Sequence, residues 1–386
     1  LTRPLRILIG LTYYWPHRTG LTRYVQYLAE EMAARGHTVT VLTSQYLRSL
    51  PRDQMLNGVR VVRLRTVARI SRGQVSPGFP LAAFDLVGEH DVVNIHMPML
   101  EGPLLAWLAR RAKRGVVVTH HGDVFLPEGL TNRLIETAMR RLFLATASQA
   151  HHIVGLSEDY AEHSTYLHPF LSKLTVLYPP VQLPEPSPDA RQRLRQRLAV
   201  GEAPLIGFSG RFVAEKRPDL LIRALARLDR RVPDAHIAFA GQYIIPYEKF
   251  YQANIRLIES YADRLHFLGL LEDDHELADF YAGIDVLAVP STTDNFPLVQ
   301  VESMLCGTPV VVSDIPGARE AVRVSGMGLL TRPRDTLALA DTIAEVLQAR
   351  EKFVKPRSEI LQTFSYEKTM DGYEALFRDA SQRRSA

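Results

Sequence analysis

Four side chains in the second half of the chain have the types and spacing to hold a phosphorylated, hydroxyl-rich ligand. In Gly207–Leu221, GFSGRFVAEKRPDLL, Arg211 follows Gly210 directly and Lys216 lies five residues later. Pro218 then stands where a first-turn helical proline belongs. In Asp285–Asp314, DVLAVPSTTDNFPLVQVESMLCGTPVVVSD, the acids Asp294 and Glu302 flank a polar turn with seven residues between them. Helix starts leave backbone N–H groups unpaired and favour anions, and two cations at such a place suit a diphosphate. Carboxylates have no use for phosphate, but they accept hydrogen bonds from sugar hydroxyls. A nucleotide sugar satisfies both sets at once.

Two further clusters lie in the first half. Thr119-His120-His121-Gly122-Asp123 follows the apolar run Val116–Val118, and His96 ends a similar run at Val92–Ile95. Adjacent residues of a strand point to opposite sides, so His120 and His121 face different environments. The loop Tyr13-Tyr14-Trp15-Pro16-His17-Arg18-Thr19-Gly20 carries aromatic rings that either stack on a sugar or pack the loop.

The elements that must position these residues alternate along the chain. Strand-length apolar runs are expected at Arg6–Leu11, Thr38–Leu42, Val59–Leu64, Val92–Ile95, Val116–Thr119, His152–Gly155 and Leu174–Leu177. After Tyr178–Asp189, YPPVQLPEPSPD, which reads as a stiff exposed linker, they resume at Leu205–Ser209, Ala235–Ala240, Leu265–Leu268, Val286–Val289, Val310–Val312 and Gly328–Leu330. Helical spacing lies between them, clearest at Leu21–Ala34, Pro218–Leu228, Leu277–Ala282 and Thr336–Ala349, with a last helix from Tyr366. This alternation is α/β: two doubly wound parallel sheets, 1–182 and 183–364, with no internal repeat visible in the residues. In such sheets ligands bind at the carboxyl ends of strands, where all the clusters above fall.

The totals agree. A chain of 386 residues is long for one core, and 46% hydrophobic with 23% charged residues is ordinary for a globular protein. No run of about 18 apolar residues occurs, and the N-terminal segment reads as a strand rather than a secretory leader. A cytoplasmic protein, peripheral at the inner membrane face, is the expectation. The lone Cys306 excludes an internal disulfide and reads as a small buried residue. Residues 1–185 carry 20 Lys/Arg against 14 Asp/Glu, with clusters at Arg60, Arg63, Arg65, Arg69 and Arg72 and at Arg110, Arg111, Lys113 and Arg114. Solvated surfaces, an anionic acceptor or anionic lipid all fit this charge. No nucleic-acid motif accompanies it.

The run G-R-x-x-x-E-K at Gly210–Lys216, then P-S-x-x-D-x-F-P-x-x-x-x-E and G-T-P-V-V-x-S, resembles the retaining glycosyltransferases of family 4. R-G-H-x-V-x-V-L-T at Arg35–Thr43, D-V-V-x-x-H at Asp91–His96, T-H-H-G-D at Thr119–Asp123 and F-S-Y at Phe364 extend the resemblance over nearly the whole chain. It implies a GT-B fold: two Rossmann-like domains facing a central cleft, the first for the acceptor and the second for the donor. The helix over 365–386 would return to the first domain.

The resemblance also assigns roles. Arg211 and Lys216 would hold the donor diphosphate and carry its growing charge, doing what a divalent metal does elsewhere, so no metal and no cofactor is expected. The acidic run Glu272-Asp273-Asp274 is better read as a helix start. Glu302 would bind ribose hydroxyls and Asp294 the transferred sugar, where the family carries Glu. Pro297 stands where the family often has Gly and lacks an N–H, leaving donor contacts to Asn295, Phe296 and Leu298. His121 would approach the transferred sugar; Gly20, beside Thr19 in place of a second Gly, would approach the donor phosphates. Tyr14, Trp15, His96 and Asp123 are the acceptor-side candidates. The function implied is retaining transfer of a hexose from a UDP- or GDP-sugar to an acceptor hydroxyl on a glycolipid, polysaccharide or small molecule. A nucleotide-sugar epimerase or hydrolase of the same fold, and a donor-binding subunit weakened at Asp294, Pro297 and the lone Gly20, are the alternatives.

Overall fold

Apolar runs too short for helices, bounded by turn residues, form parallel strands buried on both faces. The computed structural model describes residues 3–70, 73–125, 129–245 and 248–383; Leu1, Thr2 and the basic-cluster residue Arg72 lie outside them. The chain divides into two units, Leu1–Pro180 with Tyr366–Ala386, and Val181–Ser365.

The first unit is built on strands β1 (Arg6–Gly10), β2 (Thr38–Gln45), β3 (Asp53–Leu56) and β4 (Val59–Arg65), a small hairpin β5 (Ala68–Ile70) and β6 (Gly73–Val75), then β7 (Val92–Met97), β8 (Gly115–His120), β9 (His152–Gly155) and β10 (Leu174–Val176). Its main sheet runs β10-β9-β8-β7-β1-β2-β4-β3, parallel except for the last pair. The antiparallel β3 and the β5/β6 hairpin are absent from the reading above. Asn57 and Gly58, both at positive φ (47° and 81°), turn β3 into β4; Asn-Gly is the two-residue hairpin signal.

One face of this sheet packs Leu8, Ile95, Val116 and Val118 against the helices Phe79–Glu89, Gly102–Arg111 and Leu130–Ser148. The other face carries the helix Gly20–Ala34 and the C-terminal helix Tyr366–Gln382, which lies along β8. Tyr24 and Tyr373 from those two helices share a 2.6 Å hydroxyl hydrogen bond.

The second unit has β11 (Leu205–Ser209), β12 (His236–Ala240), β13 (Leu265–Gly269), β14 (Val286–Val289), β15 (Val310–Ser313) and β16 (Gly328–Thr331). All are parallel, in the order β13-β12-β11-β14-β15-β16. Helices Pro218–Leu228 and Thr336–Gln348 close one face through Leu221, Leu225, Ala340 and Ile343. In both sheets strand order reverses beside the first strand, at β1/β7 and at β11/β14. Those are the two switch points of a doubly wound fold.

Each unit locks that junction at the opposite, N-terminal end of the strands by the same means. Asp91, just before β7, accepts from Arg6 N at 3.0 Å, and its own N–H returns a 2.8 Å bond to Arg6 O. Asp285, just before β14, accepts from Leu205 N at 2.8 Å and returns a 2.8 Å bond to Leu205 O. Arginines neutralise both acids: Arg6 at 3.1 Å from Asp91, and Arg191 and Arg195, each at 2.7 Å, from Asp285. The sequence shows no repeat, yet the architecture repeats down to this contact.

Two expectations are corrected. The proline linker is not exposed throughout, because Val181 and Leu183 are buried and Leu183 O accepts from the Arg357 guanidinium at 2.5 Å. Arg63 is not a surface cation either. On β4 it shares the inward face of Val59 and Val61, is 2% exposed, and donates to Pro51 O at 3.1 Å and Trp15 O at 2.8 Å. Burial pushes its pKa down, with Tyr46 and Tyr14 opposing. It therefore anchors the loop after β1. Cys306 caps the helix Leu298–Leu305, and burial pushes its thiol up to about 12.

Candidate functional site

In the second unit, two loops leave the adjacent strand ends of the switch point: 210–217 after β11 and 290–297 after β14. Thr292 ties them, its N–H and Oγ1 donating to Glu215 O at 2.9 and 3.3 Å. Gly210, at φ +141°, starts the first loop, and its carbonyl lies so close to Gly241 that a Cβ there would come within 2.3 Å. Lys216 ends the short 3-10 turn Ala214–Lys216; Arg217 follows in the left-handed region, and Pro218 opens its helix.

The four residues singled out first lie around these loops. Lys216 Nζ is 2.5 Å from Asp294 Oδ2, and Arg211 is 3.1 Å from Glu215 Oε1. Each cation therefore already faces a carboxylate. Both pairs are only partly buried, where such contacts contribute about 0–1 kcal/mol, so an anionic ligand can compete for the cations. The adjacency of Lys216 and Asp294 suits a ligand in which a phosphate and a hydroxyl-bearing group are bonded to each other.

Glu302 is 6% exposed and accepts from Tyr281 Oη at 2.7 Å, while Ser209 Oγ lies 2.9 Å from the same hydroxyl. The phenol has one hydrogen, and an ionised carboxylate can only accept, so that hydrogen belongs to Glu302. Burial and then the Glu302 charge push the Tyr281 pKa well up. Because Ser209 is the last residue of β11, this triad sets Glu302 at the same strand end as Gly210 and Arg211.

Sequence reasoning missed Glu215 and Tyr281. Glu215 was signalled by its place one residue before Lys216; Tyr281 had no signal, since its reach to Glu302 depends on how two helices pack. Asn295 is buried, and Phe296 packs edge-on against Phe364 at 5.9 Å, so its side chain belongs to the core and only its backbone is available to a ligand. Pro297 is the N-cap and Leu298 the first residue of the helix Leu298–Leu305. Asp273, in the acidic run, caps the helix Asp274–Gly283 by accepting from His275 N and Glu276 N.

The first unit holds the remaining candidates. His121, part-exposed just past β8, lies 2.8 Å from the fully buried His96, and the Tyr24 ring meets it edge-on at 4.9 Å. Gly20 opens the helix Gly20–Ala34, and Thr19 caps it: Thr19 N donates to Thr22 Oγ1 at 2.8 Å, and Thr22 N donates to Thr19 Oγ1 at 3.3 Å. Trp15 is half-buried with the Arg18 guanidinium 4.7 Å over its ring.

Two acceptor-side candidates are corrected. Tyr14 is 2% exposed, so its ring packs the loop and offers no open face for stacking. Asp123 is consumed internally. Its Oδ1 accepts from His120 Nε2 at 2.8 Å and Ser164 Oγ at 2.6 Å, and Oδ2 from Thr165 at 3.4 Å. Desolvation alone would raise its pKa, but the bonds from His120, Ser164 and Tyr160 outweigh it and hold it low. His120 and Asp123 thus form a structural pair on the side of the strand away from His121.

Comparison with known proteins gives a consistent result. A family model described as glycosyl transferases group 1 matches residues 190–360, and one described as a glycosyl transferase 4-like domain matches 19–180. The D-inositol 3-phosphate glycosyltransferase of Geodermatophilus obscurus is 30% identical, over 95% of this chain and 86% of that protein. The GDP-mannose-dependent alpha-(1-6)-phosphatidylinositol monomannoside mannosyltransferase of Mycolicibacterium smegmatis is 29% identical over 86% of each. Among solved structures, Anabaena HepE in complex with UDP superposes with TM-score 0.78 at 20% identity, covering 97% of this chain and 100% of that one. At that identity the likeness is one of fold.

Proposed function

The chain belongs to glycosyltransferase family 4, with the GT-B fold, and from that premise we propose that it transfers a hexose from a nucleotide diphosphate sugar to an acceptor hydroxyl, retaining the anomeric configuration and without a metal ion. The observation that carries this is the grouping of Arg211, Lys216, Asp294 and Glu302 around one switch point. Arg211 and Lys216 bind the diphosphate, Asp294 the hexose, and Glu302 the ribose. UDP-sugars are favoured over GDP-sugars. The relatives' names, inositol phosphate and phosphatidylinositol, support a polyol or glycolipid acceptor.

Chemistry runs on one face of the sugar. The bond from the anomeric carbon to the β-phosphate oxygen breaks as the acceptor oxygen bonds to that carbon from the same side. The acceptor's proton passes to the departing phosphate oxygen. Negative charge grows on the diphosphate as the bond breaks, and Arg211 and Lys216 are fixed beside it, which lowers the barrier because they bind that state more strongly than the ground state.

Melting against UDP-, GDP- and ADP-sugars tests the donor assignment, since a ligand bound only by the folded state raises Tm. A UDP-sugar at about 100 times its Kd should stabilise by about 2.7 kcal/mol. No shift with any of the three would sink the proposal. Transfer assays with a chelator present, and NMR of the product's anomeric signal, test the other terms: loss of turnover or an inverted product would reject them. Donor consumption without acceptor would favour an epimerase or hydrolase, and binding without turnover a donor-binding subunit.

We further propose that the first unit docks peripherally on an anionic membrane surface. No helix among the described residues is long and apolar enough to cross a membrane. The neighbouring helices Phe79–Glu89, Gly102–Arg111 and Leu130–Ser148 expose Leu81, Phe84, Trp107, Leu130 and Leu134 beside the exposed Arg110, Arg111, Arg133 and Arg141. Apolar side chains interleaved with cations suit an acidic lipid interface. Sedimentation with vesicles should show binding to anionic but not neutral lipid, weakening with salt; equal binding to both would reject it.

A further inference from the structure

A line of hydrogen bonds runs through the first unit from the C-terminal helix to the end of β8. Tyr24 Oη meets Tyr373 Oη at 2.6 Å, and Tyr373 Oη meets Thr119 Oγ1 at 3.0 Å. Asn94 Nδ2 lies 3.1 Å from Thr119 Oγ1 and 3.2 Å from Val117 O. Asn94 Oδ1 is 2.6 Å from His96 Nε2, and His96 Nδ1 is 2.8 Å from His121 Nε2.

The chemistry of this line settles where its hydrogens sit. A backbone carbonyl can only accept, so the Asn94 atom facing Val117 O is the NH2, and the atom facing His96 is the amide oxygen. That oxygen also only accepts, so His96 carries its hydrogen on Nε2. His96 is fully buried, and burial holds its pKa down to about 3. Burial, with His96 and His120 nearby, also holds His121 well below the ordinary range. Both rings are therefore neutral near pH 7, with one N–H each. His96 Nδ1 is left as an acceptor, and the facing His121 Nε2 must donate to it. The Nδ1 of His121, which makes no hydrogen bond among the described residues, keeps a bare lone pair.

We propose that Asn94 and His96 are positioning residues that hold His121 as its Nε2–H tautomer, so that its Nδ1 accepts a hydrogen bond from a substrate hydroxyl and cannot donate to a phosphate oxygen. The tautomer rests on the hydrogen-bond geometry together with the neutrality of the two rings; the hydroxyl rests on the transferase reading above. The Tyr24 ring, edge-on to His121, and the edge-to-edge meeting of the two imidazoles, with ring planes 24° apart, hold the imidazole in this orientation. Rank of chemistry follows: a ring held neutral and aimed by its neighbour orients a hydroxyl without taking its proton.

The test uses the full-length protein labelled with 15N-histidine, observed through long-range 1H–15N correlations near pH 7, with His96→Gln and His121→Asn variants to assign the signals. Both histidines should show a protonated Nε2 and a bare Nδ1. A His121 hydrogen on Nδ1, or an imidazolium at either ring, overturns the proposal. Asn94→Leu should mix the His121 tautomers and lower kcat about ten-fold with donor KM unchanged, since one misdirected hydrogen bond of about 1.4 kcal/mol is a factor of ten. A folded Asn94→Leu variant with lost activity but an unchanged His121 spectrum would make Asn94 merely structural. His121→Asn, which places an acceptor near the Nδ1 position, should retain about ten-fold more kcat than His121→Ala. Equal loss in the two overturns the acceptor role. Should no donor be turned over at all while the spectrum is as expected, the transferase reading fails and the tautomer assignment stands.

Discussion

Replacing Arg211 by alanine should lower kcat by about two to three orders of magnitude, the cost typical of removing one fixed group aimed at developing charge. Arg211 contacts Glu215 at 3.1 Å with both side chains part-exposed, so its loss should change stability by less than about 1 kcal/mol. Loss of rate without loss of fold is therefore the expected signature, read from steady-state kinetics beside a melting curve. The variant also strips Glu215 of the Arg211 ion pair, leaving its carboxylate beside the place proposed for the donor diphosphate. The double variant Arg211→Ala with Glu215→Ala separates the two effects. Any activity it regains over the single variant measures that repulsion, and the remainder is the guanidinium's own contribution. Near-normal turnover in Arg211→Ala would remove the basis of the donor assignment.

The largest stability effect should come from Asp285→Ala. Arg195, 5% exposed, faces Asp285 at 2.7 Å, and removing the acid leaves a buried guanidinium with only the carbonyls of Gly201 and Ala203. Breaking one side of a buried pair costs about 3–5 kcal/mol; those carbonyls place this case near the lower end. At roughly 2–4 °C per kcal/mol for a unit of this size, Tm should fall by about 6–12 °C. Asp285→Leu combined with Arg195→Met should recover much of the loss, because no orphaned charge remains. Asp314→Ala is the control: that acid's side chain is 44% exposed beside Arg319 and Arg323, and its loss should change Tm by no more than about 4 °C. An Asp285→Ala protein melting like the control would refute the clamp.

The strands were legible because parallel strands buried on both faces spell unbroken apolar runs, as VVV does in both β8 and β15. What escaped were strands without that burial. β3 alternates exposed and half-buried residues at a sheet edge, and its Asn57-Gly58 turn was the signal to use. Arg63 was lost among neighbouring arginines of identical spelling, although its two-residue spacing from Val59 and Val61 marks the inward face. In the site, cations and acids could be located because strand-end loops are fixed by topology. Their partners could not: Tyr281 reaches Glu302, and Asp123 accepts from Ser164, only because residues distant in sequence pack together. Tyr14 read equally as a stacking platform or as loop packing for the same reason, since sequence does not say which side of a loop faces inward.

The clamps of Asp91 and Asp285 have a consequence for how this fold can change. Each grips its central strand pair at the end remote from the loops that leave the carboxyl ends of the strands, so the foundation of each sheet is set independently of what is built on top. Residues such as Asp294 and Pro297 can then depart from the common pattern without touching the contacts that hold the strands in register. Folding is underwritten at one end of the sheet, and chemistry is free to diversify at the other.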